Sequence, residues 1–509
     1  MPFDANRRDL AVGVIGTGAM GRGIAQVAAA GGMQVLMSDS RPGAAAEARD
    51  FIEKMLARAA EKGLITKDEA VGAVDRIRIV GGPADMKPCQ VVVEAIVENL
   101  EAKQKLFAEL EAPVAPDCIL ATNTSSLSVT TIASKLKTPQ RFAGFHFFNP
   151  VPLMKLVEVI DGLRTEEWVG EALMAVGRRM TREPVRLKDA PGFLVNQVGR
   201  GFTLEAAHLA YEGIAGFADV DRVMRDVGGF RMGPFELMEL TGLDVTHPAS
   251  ELIYRQFFEE PRYRPNLIMR SRYEAGVLGR KSKHGFYDYD AEMKPLVPAE
   301  SRAPAARPES VWVSPAEAQG QAALAELLSK LGARRETAAK PSSGALILVT
   351  PIGEDATTCA VEQGLDPKRT VAVDTLFPMV KRRTIMGTPV TGAVYRDAAH
   401  GLLAADGVPV TVCRDSPGFI AQRIVAMIVN IGCSIAQSRT ARPPEIDKAV
   451  MLGLNYPNGP FKFGDVLGPD RVYKVLSSMC RIYGDPRYRP DIWLTRRAKL
   501  GLSLLTPDS

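Results

Sequence analysis

The sequence predicts an α/β domain followed by an all-α domain, then a degenerate α/β segment and a second copy of the all-α domain. Three observations predict it. Short β-branched runs alternate with helix-length patterns from Leu10 to about Lys188, such runs largely stop after Ala190, and a set of motifs returns 226 residues later. Strands alternating with helices form a parallel sheet covered on both faces. AVGVIG, QVLMSD, IRIV, QVVVEAI, CILATN and RFAGFHF supply the strands, with a long helix through Lys62 and another near Leu106. This first domain is assigned to residues 1–188.

Pro191 opens the next region, where a missing N–H costs nothing at a helix start. GFLVNQVGRGFTLEAAHLAYEG and FADVDRVMRDV read as amphipathic helices, so residues 189–290 form the helical domain. Residues 291–343, rich in Pro and Ala, read as a linker carrying one helix, AEAQGQAALAELLSKLG. Residues 344–414 form the degenerate α/β segment, with no Gly-rich turn, and 415–509 the second helical copy. The copies are in register: DAPGFLVNQ at Asp189 returns as DSPGFIAQR at Asp415, Asp221 as Asp447, Gly233-Pro234-Phe235 as Gly459-Pro460-Phe461, and Asp244 as Asp470, all offset by 226. PRYRP recurs at offset 225.

Composition narrows the function. With 63 Lys+Arg against 59 Asp+Glu over 509 residues there is no basic footprint, so nucleic acid is not an expected partner. No apolar stretch reaches the length of a membrane span, and the N-terminus lacks a secretory h-region, so a cytoplasmic protein is expected. Six scattered cysteines show no metal-ligand spacing, and no metal is expected.

Gly16-Thr17-Gly18-Ala19-Met20-Gly21 follows a strand directly and opens a helix. In that context the first glycine makes a tight turn, the second lets the backbone approach a pyrophosphate, the third packs helix on strand, and the helix N-terminus supplies partial positive charge. Asp39, 18 residues beyond Gly21 at the end of the second strand, can bind ribose hydroxyls. The first domain is therefore of the Rossmann dinucleotide-binding type. Arg41 could favour NADP, but Asp39 repels a 2′-phosphate, so NAD is expected.

His146 sits among apolar residues at a strand end, GFHFFNP, and Glu158 follows twelve residues on in KLVEVI. If the strands flanking Pro152 pair antiparallel, the two side chains face each other, and a carboxylate on one imidazole nitrogen raises the basicity of the other. That is a general-base arrangement, although a lone histidine of this kind also fits a core role. Lys54, Arg58 and Lys62 recur every fourth residue and share a helix face, ordinarily a solvated one.

GVIGTGAMGRGIA, VVEAIVEN, TNTSSL, FAGFHFFNPVPLMKLVEVI, KDAPGFLVNQ and MGPFELMELTGLD together resemble the NAD-dependent L-3-hydroxyacyl-CoA dehydrogenase family, over about Val12 to Tyr289. The length and the second helical copy resemble the long bacterial form associated with short-chain or phenylacetate-type CoA-ester degradation. The resemblance implies an acyl-CoA thioester substrate, His146 as catalytic base and Glu158 as its orienting partner. It further implies Ser125 as a donor to the substrate 3-oxygen and Asn196 as a substrate contact; without it, both read as helix caps. Glu98, Lys103, Asn149 and Lys281 match cofactor contacts, with Ser125 beside the cofactor. Lys54, Arg58 and Lys62, above all Lys62, match the region of CoA contacts. Family members of half this length look like dimers paired through their helical domains, which implies that the second copy docks on the first as an intramolecular pseudo-dimer, further homo-oligomers staying open. Two alternatives remain: a dehydrogenase of a hydroxy acid or sugar acid without CoA, and a non-catalytic relative.

Overall fold

The computed structural model describes residues 4–508. It divides into two compact units, Met1–Asn196 with Ser438–Leu454, and Gln197–Gln437 with Asn455–Ser509.

The first unit runs β1 (Ala11–Ile15), α1 (Ala19–Ala30), β2 (Gln34–Ser38), α2 (Ala44–Glu61), α3 (Lys67–Asp75), β3 (Ile77–Ile79) and β4 (Val91–Glu94). It continues with α4 (Leu100–Leu110), β5 (Ile119–Thr122), α5 (Val129–Ala133), β6 (Phe142–Phe147), β7 (Leu156–Asp161), α6 (Glu167–Arg179) and β8 (Glu183–Lys188). The eight strands lie in the order β3-β2-β1-β4-β5-β6-β7-β8. Neighbouring strands are parallel except β6 and β7, which run antiparallel with His146 opposite Glu158. β1, β4, β5 and β6 are buried along their whole length, as a sheet covered on both faces requires.

α7 (Val195–Tyr211), α8 (Phe217–Asp226), α9 (Pro234–Thr241), α10 (Leu243–Gln256) and α11 (Leu267–Glu274) form the helical copy that follows. Next come β9 (Val311–Val313), α12 (Ala318–Lys330), β10 (Arg335–Glu336), β11 (Leu346–Val349), α13 (Ala356–Glu362), β12 (Thr370–Val373), β13 (Arg383–Gly387), α14 (Ala393–Leu403) and β14 (Val410–Cys413). The second sheet has the order β10-β9-β11-β12-β13-β14. Its one antiparallel pairing, β12 with β13, repeats the β6–β7 reversal of the first sheet. The reading of 291–343 as a linker is corrected here: from Val311 onward the segment supplies β9, α12 and β10 to this sheet. The prolines around a three-residue strand dominated the local composition and concealed it, while Val311, Trp312 and Val313 are all buried.

The chain ends with α15 (Ala421–Gln437), α16 (Pro443–Leu454), α17 (Pro460–Leu467), α18 (Pro469–Tyr483) and α19 (Ile492–Leu500). α7 and α15 have both ends offset by 226 residues, as do α9 and α17. The second copy is not one body, however. α16 belongs to the first unit, where Lys188 N–H donates to Thr440 C=O at 2.9 Å and Lys448 pairs with Glu183 at 2.5 Å.

Contacts between equivalent positions come in exchanged pairs. The Lys188–Thr440 bond has its counterpart in the second unit, Arg414 N–H to Ile214 C=O at 2.9 Å, each residue shifted by 226 in opposite directions. Arg264 pairs with Asp485 at 3.0 Å, and Arg489 with Glu260 at 2.6 Å, the same exchange at offset 225. α7 and α15 cross so closely that a Cβ on Gly201 would lie 3.0 Å from the backbone of Ile428. Beside this crossing Glu205, fully buried, receives Arg423 at 2.7 Å, Arg487 at 2.8 Å and the Tyr488 hydroxyl at 3.0 Å.

Glu205→Gln leaves two buried guanidinium groups without their shared carboxylate. It is expected to lower unfolding free energy by about 3–5 kcal/mol in denaturant titrations. A loss below about 1 kcal/mol would show that the cluster contributes little.

Candidate active site

The glycine turn has a separate physical reason at each glycine. A Cβ on Gly16 (φ +88°) would sit 2.5 Å from Ala95 O, and one on Gly21 only 1.8 Å from Gly16 O, so both are demanded by the protein's own backbone. A Cβ on Gly18 meets nothing within 4 Å, so no protein atom explains that glycine. Gly18 is the N-cap of α1 and offers no side chain, leaving the first amides of the helix, from Ala19 and Met20 on, for a phosphate. The fit to a dinucleotide is therefore direct: the one glycine without a structural cause borders the amides a pyrophosphate needs.

Asp39 fastens this turn. Its carboxylate accepts from Thr17 N–H at 2.7 Å, Thr17 Oγ1 at 2.9 Å and Arg41 N–H at 2.9 Å. Burial pushes its pKa up, but these hydrogen bonds outweigh burial and hold it below the usual carboxylate range. A carboxylate has roughly four acceptor positions, so about one is left for a ribose hydroxyl. Arg41 is turned toward Glu47 at 2.6 Å.

Across the reversed strand pair, His146 Nδ1 lies 2.7 Å from Glu158 Oε2. Both side chains are buried, and the imidazole is flanked by Phe148 at 4.5 Å and Phe193 at 5.6 Å between ring centroids. Glu158 Oε1 accepts the amides of Leu194 and Val195 at 3.0 and 3.1 Å, the first turn of α7. The carboxylate is thus held on both oxygens. With Nδ1 committed to Glu158, Nε2 is the nitrogen open to a substrate.

The loop after β5 is held by Glu98. Its Oε1 accepts Thr124 Oγ1 at 2.6 Å, the amides of Ser125 and Ser126 at 3.1 and 3.2 Å, and Ser126 Oγ at 2.8 Å. Burial opposes ionisation of Glu98, yet the Thr124 bond and the Lys103 charge keep its pKa low. Ser125 is exposed at this turn, and the cap of α5 is Ser128, so Ser125 does not serve as that cap. Lys103, matched to a cofactor contact, is sealed from solvent between Glu94 at 2.5 Å and Glu98 at 3.2 Å. Glu94 was not singled out from the sequence. Its signal was an acid closing a run of valines, where burial demands a partner.

Asn149 is exposed and joined to Pro150 by a cis peptide bond, three residues past His146. Asn196 lies in the first turn of α7. Lys54, Arg58 and Lys62 are exposed on α2 and its C-cap. Lys281, in the second unit, pairs with Asp244 at 2.7 Å.

Strand register locates the corresponding positions in the second sheet. Glu158 stands opposite Val185, Thr384 opposite Thr411, and 185 and 411 differ by the repeat offset. Thr384 therefore replaces Glu158, and Asp374, whose amide bonds to Thr384 C=O at 3.0 Å, replaces His146. Gln422 replaces Asn196 and donates to Asp374 at 2.8 Å. No imidazole remains there.

Comparison with known proteins identifies the family of the chain. Residues 11–190 match the family model described as 3-hydroxyacyl-CoA dehydrogenase, NAD binding domain. Residues 192–289 and 418–504 each match the C-terminal domain of the same family. The chain is 35% identical to 3-hydroxyadipyl-CoA dehydrogenase of Escherichia coli K12, over 96% of this chain and 97% of that protein. It is 42% identical to the probable 3-hydroxybutyryl-CoA dehydrogenase of Bacillus subtilis over 54% of this chain and 96% of the relative. The crystal structure of 3-hydroxybutyryl-CoA dehydrogenase from E. coli K12 superposes with a TM-score of 0.84 at 34% identity, covering 97% of this chain and 99% of that one.

Gly18→Val should leave thermal stability within about 2 °C while weakening NAD binding at least tenfold by calorimetry, since its Cβ meets only ligand space. Gly21→Ala should lower stability through the clash with Gly16 O. Unchanged NAD affinity in Gly18→Val would remove the pyrophosphate from this turn.

Proposed function

Because the chain belongs to the NAD-dependent 3-hydroxyacyl-CoA dehydrogenase family, we propose that it interconverts (S)-3-hydroxyacyl-CoA and 3-ketoacyl-CoA with His146 as general base. The observation that carries this reading is the buried His146–Glu158 pair, whose 2.7 Å contact at Nδ1 leaves Nε2 free. Glu158 accepts a hydrogen bond from Nδ1–H and fixes the tautomer; the Leu194 and Val195 amides hold that carboxylate in place. NAD, when bound, supplies the hydride acceptor. As hydride leaves C3, Nε2 takes the hydroxyl proton and the C3–O bond becomes a ketone. In reverse, protonated His146 returns the proton. Ser125 donates to the substrate 3-oxygen from the loop held by Glu98, and Asn196 helps hold the substrate. Lys54, Arg58 and Lys62 face the CoA phosphates. The substrates are short-chain or aromatic-degradation CoA esters.

The second helical copy docks on the first as an intramolecular pseudo-dimer, leaving one active site per chain. The exchanged pairs Arg264–Asp485 and Arg489–Glu260 support this, as do Asp374 and Thr384 where His146 and Glu158 would stand.

Purified His146→Gln should bind NAD normally and lose turnover by about 10² to 10⁴-fold across a panel of 3-hydroxyacyl-CoA esters. Near-normal turnover would remove His146 from the chemistry. NAD titration of the full chain should give one site, and a chain ended after Tyr289 should dimerise or aggregate in light scattering. Two NAD sites, or a stable monomeric truncation, would contradict the pseudo-dimer.

A further inference from the structure

α16 comes from the second helical copy, yet it packs on β7 and β8 of the sheet that carries His146 and Glu158. Its buried residues Pro443, Ile446, Ala449 and Val450 follow helical spacing, and Gly453 continues that stripe. At Gly453 the helix meets two side chains. A Cβ there would lie 2.8 Å from Val195 Cγ2, 2.9 Å from Leu156 Cδ2 and 3.2 Å from Val195 Cγ1, so only glycine permits this approach.

Both neighbours bear on Glu158. Leu156 precedes it by two residues on β7, hence on the same face of the sheet. Val195 supplies one of the two amides that Glu158 Oε1 accepts, at 3.1 Å, and Leu194 supplies the other at 3.0 Å. The chain reaches those amides through Gly192 and Phe193, both at positive φ, +72° and +51°, a conformation that a phenylalanine holds only where its surroundings enforce it. Val195 and Leu156 are buried, and a valine within a helix is stiff at χ1, so a push on its methyl groups passes to its backbone. The repeat carries the same pairing in reverse: at the 226-residue offset Gly453 and Val195 correspond to Val227 and Ala421, with the large and small members exchanged.

We propose that α16 is a positioning element of the site on the first sheet, with Gly453 as its positioning residue. By seating on Val195 and Leu156 it holds the start of α7 against Glu158, and through Glu158 it aims Nε2 of His146. This assignment rests on the reading of His146 as general base.

The test uses the full-length chain with NAD and 3-hydroxybutyryl-CoA. Gly453→Val should lower kcat about 10- to 100-fold while the NAD dissociation constant stays within about twofold. The far-downfield proton resonance of His146 Nδ1–H, identified by its loss in His146→Gln, should move in the same variant, which a general loss of stability would not cause. Val195→Ala in the same chain makes room for the new side chain and should return kcat to within about threefold of wild type, and the resonance to its place. If Gly453→Val does not fold, Gly453→Ala with the same rescue takes its place. Wild-type turnover in the glycine variant, an unmoved resonance, or a double variant no faster than the single would overturn the assignment. Absence of NAD reduction by the wild type would overturn the general-base reading and this assignment with it, an outcome distinct from an unmoved resonance in an active enzyme.

Discussion

The reversal of one strand pair governs this molecule. In a sheet whose other neighbours are parallel, β6 and β7 run antiparallel and bring His146 against Glu158. A buried carboxylate in that position is tolerable only if both oxygens are satisfied, since an unpartnered one would cost several kcal/mol. One oxygen receives the imidazole and the other the first amides of α7. The same carboxylate thus orients the imidazole and pins the start of the long helix. The geometry of the His146–Glu158 pair and the placement of α7 are not separable.

Duplication explains much of the remaining chain. Asp189 accepts from Ser128 and Thr130 at the head of α5, and Asp415 does the same from Ala356 and Thr357 at the head of α13. Packing and capping positions persist in both copies because each covers apolar surface that would otherwise face water. Site positions do not persist: a dyad needs two specific side chains at one distance, and Asp374 with Thr384 meets neither requirement. The exchanged ion pairs have lost strict symmetry too, since Arg423 and Glu205 correspond to Gln197 and Ile431 at the repeat offset. A charge cluster on one side only distinguishes the two copies.

Around the cofactor turn, carboxylates act as fasteners. Asp39 ties Thr17 to the end of β2, and Glu98 ties the Thr124–Ser126 loop, itself steadied by Lys103 and Glu94. These side chains hold the backbone of both turns in place.

The sequence by itself determined the features whose partners are close along the chain or repeat at a fixed interval. The glycine turn, the reversal around Pro152 that sets His146 opposite Glu158, and the 226-residue register all follow from local geometry and periodicity. Tertiary structure alone decided the rest. It enclosed Lys103 between two acids, drew Val311–Val313 into a sheet despite its proline-rich surroundings, and moved Pro443–Leu454 onto β7 and β8. In each case the deciding factor is which groups surround a residue once distant segments pack together. Burial and charge compensation are properties of that assembled environment, and no spacing in the sequence encodes them.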